Sequence, residues 1–226
     1  MIQESLQKIK ERGSNQILIL FLLTDGFFIF LHIMHKLPLV TTVIPLLDES
    51  AFSISADLGL AEAFQYIKEF WIALLLIGFS IKNKKTAYLG WILLFFFLVF
   101  DDMFAIHEGL GGLVGAKLNI PALLSSRDNL RAKDFGELIV SGTFGAFFLG
   151  LIIIAYMRSP VGTRAIFLKM FMLLMVLVFF GVGVDFLDRF ANSRVLQEGI
   201  KLIEDGGEMA IMSFFCWYVI SLPEAE

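Results

Sequence analysis

The chain has 226 residues, of which 58% are hydrophobic and 18% are charged, and Phe alone occurs 25 times. A soluble domain carries about 25% charged residues, and the mean hydropathy here is +0.79, so the composition indicates a polytopic membrane protein. The net charge of −4 gives no basic surface for nucleic acid. The single cysteine, Cys216, excludes an internal disulfide and argues against a thiolate metal cage.

Apolar stretches of the length that a bilayer core requires, about 20 residues, recur along the chain. Six spans are predicted, at 16–35, 63–81, 87–106, 135–157, 165–186 and 199–222. We therefore expect an all-α membrane helix bundle that forms a single transmembrane domain. Residues 1–13 are typical of an amphipathic basic helix on the membrane surface. Residues 37–62 are too mixed to span and predict a surface or partly inserted loop.

Lys and Arg in the short flanks of the spans predict the orientation of the bundle. Three flanks are basic and lie on one side: the one with Lys8, Lys10 and Arg12, the turn at 82–85, and the one with Arg158 and Arg164. The loop between spans three and four is also basic, but it is long and contains the polar stretch 125–129, so it carries less weight. The pattern predicts a multi-pass protein of the inner (cytoplasmic) membrane with both termini in the cytoplasm.

Acidic residues interrupt or border nearly every apolar stretch. They are Asp25, Asp101, Asp102, Glu108, Glu137, Asp185, Asp188, Glu204, Asp205 and Glu208. Each carboxylate at bilayer depth costs about 2.5–3.5 kcal/mol on insertion scales, so it is expected to face the bundle interior and to have a partner. The sequence shows no matching set of cations. Bound cations, shared protons or a water-filled cavity are therefore expected, in an acidic pocket that faces outwards.

Helical spacing places several of these side chains on common faces. Asp101 and Glu108 differ by about 20° around a helix, and Glu204 and Glu208 lie one turn apart. His107, next to Glu108, gives the strongest single pair, because imidazole plus carboxylate suits both metal ligation and proton transfer. For Asp102, Asp188 and Glu62, helix capping or contact with headgroup water explains the residue equally well.

The sequence predicts a divalent metal ion in this pocket: zinc, iron, manganese or calcium. His107 and Glu108 are the predicted catalytic residues. The predicted metal ligands are Asp101, His107, Glu108, Glu137, Asp185, Glu204 and Glu208.

Different classes of function fit this pattern. In the first, the metal activates water for hydrolysis of a lipidic substrate, or a dimetal centre oxidises a lipid or quinone. In the second, the acids form a cation or proton pathway, as in a transporter or channel. In the third, the protein is a membrane scaffold or sensor with a structural cation. Membrane lipids are the expected partners, with a lipidic or small cationic substrate.

Three segments carry a resemblance to a known kind of protein. They are 56–68 (ADLGLAEAFQYIK), 100–108 (FDDMFAIHE) and 203–209 (IEDGGEM). These segments resemble ones in uncharacterised bacterial integral-membrane proteins, and the resemblance covers most of the chain, from the first loop to span six. It implies a membrane fold and brings no known activity with it.

Overall fold

The computed structural model describes residues 2–83, 86–118, 132–188, 191 and 193–222, and these residues contain helices and no strand. The α-helices are α1 (Ile2–His35), α2 (Pro38–Val43), α3 (Leu60–Lys82), α4 (Leu89–Phe104), α5 (Ile106–Lys117), α6 (Ala132–Arg158), α7 (Val161–Val178), α8 (Asp185–Asp188) and α9 (Arg194–Ser221). A π-helix, Phe179–Val184, joins α7 to α8. The predicted all-α fold is confirmed.

Several long apolar helices suggest a membrane protein. The described helices that are long and apolar enough to cross a bilayer are Arg12–His35, Leu60–Lys82, Thr86–Phe104, Ala132–Arg158 and Val161–Leu187. They coincide with the first five predicted spans. The sixth predicted span lies in α9, a helix of 28 residues and so about 42 Å long. The acids in the first half of α9 keep its hydropathy below that of the other five.

The first sixty residues form more helix than the sequence suggests. Helix α1 continues without a break from Ile2 to His35, so the predicted surface helix and the first span are parts of one helix. The predicted loop that follows contains α2 and two 3₁₀ helices, Pro45–Asp48 and Ser50–Phe52. Pro38 lies in the first turn of α2 and Pro45 in the first turn of a 3₁₀ helix, where a missing N–H costs nothing.

The predicted loop after span three begins with a helix instead. Ala105 adopts a left-handed conformation, with φ of 47°, which ends α4 and lets α5 start at once. The Asp101 carboxylate accepts the backbone N–H of His107 at 2.8 Å, so it supports the first turn of α5. The predicted polar stretch 125–129 lies outside the described residues.

The chain divides into two compact units, Met1–Leu75 with Leu168–Glu226, and Leu76–Phe167. In the first unit α1 packs against α9, and a core forms around Ile54, Ala61 and Met209. In the second unit α5 packs closely against α6. Its most deeply buried aromatic residues include Tyr88, Trp91 and Phe167.

Candidate functional site

Lys68, in the apolar helix α3, is completely buried in the first unit, with 0% of its surface exposed. Its Nζ donates to Asp25 Oδ1 at 2.9 Å, to the carbonyl oxygen of Met209 at 2.7 Å and to Ser213 Oγ at 3.1 Å. Ser213 Oγ in turn donates to Asp25 Oδ2 at 2.5 Å. We call Asp25, Lys68, Ser213 and the Met209 carbonyl the buried ion-pair site.

Three helices build this site: α1 supplies Asp25, α3 supplies Lys68, and α9 supplies Ser213 and Met209. The three oxygen acceptors match the three N–H donors of a lysine ammonium. Asp25 is 3% exposed and Ser213 is 0% exposed. A buried charge is tolerated only when it is paired and its remaining hydrogen bonds are made, and this site meets that condition for Lys68.

Aromatic rings surround the buried ion-pair site. Lys68 Nζ lies 4.8 Å from the centroid of the Phe64 ring, within the range of a cation–π interaction. Phe21, one helical turn before Asp25, packs against Phe64 at 6.2 Å and against Trp71 at 5.9 Å between ring centroids. The polar groups therefore lie in an apolar environment, where an ion pair interacts more strongly than in water.

Lys68 was not predicted as a site residue. The expectation that the acids lack matching cations is wrong for Asp25, which pairs with Lys68, and for Glu108 and Glu137, which both bind Lys133. Lys133 and Glu137 are four residues apart on α6, so helical spacing could have found that pair. Lys68 with Asp25, and Lys133 with Glu108, join different helices, which no spacing rule within one helix finds. The available signal was a lone lysine inside an apolar span, which is expensive unless it is paired.

A second polar cluster lies in the other unit, where α4 meets α5. His107 Nδ1 donates to Asp101 Oδ2 at 3.0 Å, and the His107 side chain is 32% exposed. The hydrogen bond to Asp101 raises the pKa of His107 above its usual value. A carboxylate on Nδ1 fixes the ring and leaves Nε2 as the reactive nitrogen, the arrangement found in metal-ligating and catalytic histidines.

Lys133 at the start of α6 bridges the remaining predicted acids of this unit. Its Nζ lies 2.7 Å from Glu108 Oε2 and 3.1 Å from Glu137 Oε1. The side chains of Lys133 and Glu108 are 44% and 41% exposed, so these bridges are surface-type pairs that contribute about 0–1 kcal/mol each.

The predicted acids of α9 lie in the first unit, on the helix that also supplies Met209 and Ser213 to the buried ion-pair site. Glu208 Oε2 accepts a long hydrogen bond from Gln65 at 3.4 Å, and Glu208 also lies against Gly181 of the π-helix. Asp205 accepts a hydrogen bond from Ser55 and interacts electrostatically with Asp185 and Glu62. Glu204 is half-buried on the same helix.

The predicted metal ligands therefore divide between the two units. Asp101, His107, Glu108 and Glu137 belong to one, and Asp185, Glu204 and Glu208 to the other. In the described part of the chain, no group of three or more His, Cys, Asp and Glu side chains is arranged to hold a metal ion. One common pocket with a divalent metal stays a prediction.

Fold and site together define an all-α bundle whose long apolar helices suggest a membrane protein and which encloses an ion pair. The family described as "Domain of unknown function (DUF8692)" matches residues 17–222. The chain belongs to this family. No curated protein and no solved structure matches the chain.

Proposed function

We propose that this protein moves protons across the membrane, alone or coupled to a small cation, and that the buried ion-pair site exchanges the proton. The observation that supports the proposal is the complete burial of Lys68 and its contact with Asp25 among apolar helices. Ionisable groups inside membrane segments commonly mark ion and proton pathways. A purely structural contact between the same helices needs no charge.

The chemistry of the pair suits a single exchangeable proton. When the proton moves from Lys68 Nζ to Asp25 Oδ1, the ion pair becomes a neutral amine and a neutral acid, so the net charge stays at zero and no charged group remains buried. Lysine changes its protonation state readily when it is buried, whereas arginine does not. Ser213 Oγ contacts both partners and holds their oxygen and nitrogen atoms in reach of each other in either state.

The membrane arrangement belongs to the same proposal. We place the chain in the inner (cytoplasmic) membrane with both termini in the cytoplasm, because three short basic flanks fall on that side. Asp25 then lies near the middle of the first span, and the acids of α9 lie towards the outer surface. The buried ion-pair site thus occupies a depth from which a proton can reach either side.

Proton flux in reconstituted vesicles tests the proposal. Purified protein is placed in liposomes that contain a pH-sensitive dye, and a potassium diffusion potential or a sodium gradient is imposed. The wild-type protein is expected to change the internal pH faster than empty liposomes. Asp25→Asn and Lys68→Met should abolish the flux, because neither retains a pair that can share a proton. Cys216→Ser, a conservative change at a buried residue of α9 that leaves Asp25, Lys68 and Ser213 in place, is the matched control and should keep the flux.

Two results would overturn the proposal. The first is a wild-type flux equal to that of empty liposomes under both driving forces. The second is a flux that Asp25→Asn leaves unchanged while the variant is as well folded as Cys216→Ser.

A second candidate function is favoured by the Asp101–His107 hydrogen bond. This half-exposed imidazole, oriented by a carboxylate, suits a metal-dependent enzyme that acts on a lipidic substrate, with zinc, iron, manganese or calcium at His107 and its acidic neighbours. Elemental analysis of purified protein checks this candidate. A stoichiometric metal in the wild-type protein that is lost in His107→Ala supports this candidate. Wild-type protein that contains no metal after growth with zinc, iron, manganese and calcium counts against it.

A further inference from the structure

Residues 50–59 comprise the second 3₁₀ helix and the segment that leads to α3. They contact the buried ion-pair site through Ile54 and Met209, and we call them the plug. Side chains from three helices hold the plug. His32 of α1 accepts the backbone N–H of Ile54, Asp205 of α9 accepts the Ser55 hydroxyl, and Glu62 of α3 accepts the backbone N–H of Leu58.

Ile54 is the residue of the plug that reaches the core. It is 4% exposed and packs in one cluster with Ala61 and Met209. The carbonyl oxygen of Met209 is an acceptor for Lys68 Nζ. Removal of Ile54 from this cluster would therefore open the apolar layer directly next to the buried ion-pair site.

His32 can accept the hydrogen bond from the Ile54 N–H only while its Nδ1 carries no proton. Its Nδ1 accepts from Ile54 N at 3.0 Å and from Ser53 Oγ at 3.4 Å, so that nitrogen carries no proton in this structure and Nε2 carries it. A proton added to Nδ1 would face the Ile54 N–H and remove that hydrogen bond, whereas Ser53 Oγ could still accept from the protonated ring. His35 differs, because its Nδ1 donates to the Leu47 carbonyl at 2.8 Å and a protonated ring can still donate.

The charged and titratable groups that act on His32 come from two helices. His35 lies on its own helix, Lys36 directly follows that helix, and Glu198 lies on α9. Lys36 and Glu198 pair with each other at 2.8 Å. From the plug, His32 receives the uncharged donors Ile54 N and Ser53 Oγ.

We propose that the plug is a pH-sensitive gate, latched by neutral His32 and released on acidification, which controls access to the buried ion-pair site. This role rests on the proposed proton transport, but the movement of the plug is measured independently of flux. The gate would let protons reach Lys68 and Asp25 when the solution on that side is acidic.

Cysteine labelling tests the gate in a Cys216→Ala background. Ile54→Cys reports the buried face of the plug, and Ser50→Cys is the matched control at an exposed position of the same segment. The ratio of their labelling rates with a water-soluble maleimide cancels the change in thiolate fraction with pH. We expect this ratio to rise about tenfold between roughly pH 8 and pH 5, the range in which histidine titrates. A tenfold change corresponds to about 1.4 kcal/mol.

Variants of the two histidines distinguish release of the plug through His32 from a general loss of stability at low pH. His32→Gln should make the ratio independent of pH, whereas His35→Gln should keep the pH dependence. Hydrogen exchange of residues 52–59 in the unmodified protein gives a second measurement that does not depend on Ile54→Cys. After correction for intrinsic exchange rates, these amides should lose protection over the same pH range. A ratio and a protection that do not change with pH, or that change equally in His32→Gln, would overturn the gate. That result in a protein that moves protons would leave the proposed function intact.

Discussion

Lys68 and Asp25 are expected to stabilise the fold only together. Each alone would be a charge enclosed by Phe21, Phe64 and the apolar faces of three helices. Loss of one partner of a buried pair typically costs about 3–5 kcal/mol, whereas replacement of both by apolar residues is often neutral. A buried ion pair therefore adds little net stability compared with apolar residues in the same place. This favours a functional reason for the presence of Lys68 and Asp25.

A pair of variants checks this at the residue scale. Lys68→Met should lower the free energy of unfolding by about 3–5 kcal/mol, and the double variant Lys68→Met with Asp25→Leu should recover most of that loss. Denaturant unfolding in detergent, followed by circular dichroism, measures both. Lys169→Met is the control, because Lys169 is exposed and its Nζ lies 5.9 Å from the centroid of the Tyr218 ring, a contact worth about 0.5–1 kcal/mol. Equal destabilisation in the single and double variants would contradict the account.

His107 gives a prediction on pH. Because Asp101 raises the pKa of His107 in the folded protein, the protonated ring stabilises the fold. This stabilisation is complete below the unfolded value, about 6.5, and is lost as the pH rises through the folded pKa. Asp101→Asn should therefore lower the pKa of His107 measured by NMR and flatten the dependence of unfolding on pH above about 6.5. A His107 pKa that Asp101→Asn leaves unchanged would show that Asp101 does not act on the ring.

At the scale of elements, the close contact between α5 and α6 depends on glycines, which have no side chain to separate the two helices. A Cβ at Gly136 would overlap the Gly111 carbonyl oxygen, and a Cβ at Gly111 would lie 2.6 Å from the backbone nitrogen of Glu137. Small residues let two helix backbones approach closely, as in many membrane helix pairs. This approach brings Lys133 to Glu108 and so fixes one edge of the second polar cluster.

Two glycine substitutions on α6 test this packing. Gly136→Ala should lower the free energy of unfolding by about 1–3 kcal/mol, because the methyl group cannot fit without movement of the backbone. Gly142→Ala is the matched control on the same helix, since no atom lies within 4 Å of its added Cβ, and it should gain up to about 1 kcal/mol from helix propensity. Thermal unfolding of the two variants would contradict the account if Gly136→Ala were the more stable one.

The helices that consist of long apolar runs were predictable from the sequence. Apolar runs near 20 residues gave α1, α3, α4, α6 and α7, because only a helix satisfies the backbone at bilayer depth. Helix α5 was not predicted, since four of its twelve residues are glycine and glycine is a poor helix former. Its tertiary contact with α6 outweighs that propensity. The left-handed Ala105, which separates α4 from α5, has no local sequence signal.

The site was predictable only in part. Asp25 was expected to face the bundle interior because it interrupts an apolar stretch, and its side chain is buried. The partner of Asp25 is 43 residues away, and such a pairing depends on which faces of two helices meet. The acids of α4, α5 and α9 were recognised as a set, but their distribution between two units depends on tertiary packing, which spacing within a helix does not encode.

At the scale of the whole molecule, the orientation in the membrane makes a separate prediction. A reporter fused after Lys84 should lie in the cytoplasm, and one inserted near Ser126 should lie outside, because α4 is predicted to cross the membrane between them. Both positions lie outside the described residues. Reporters on the same side would show that α4 does not cross, and the placement of the polar clusters at the outer end would fail with it.

The most direct test of the account is whether Asp25 exchanges a proton inside the folded bundle. Infrared difference spectra of the protein in lipid, recorded on acidification, resolve the carbonyl stretch of a newly protonated carboxylic acid. We expect such a band in the wild-type protein and in Cys216→Ser, its loss in Asp25→Asn, and a change of its pH dependence in Lys68→Met. A spectrum that is identical in the wild-type protein and in Asp25→Asn would show that the ion pair keeps its charges, and would contradict a role in proton exchange.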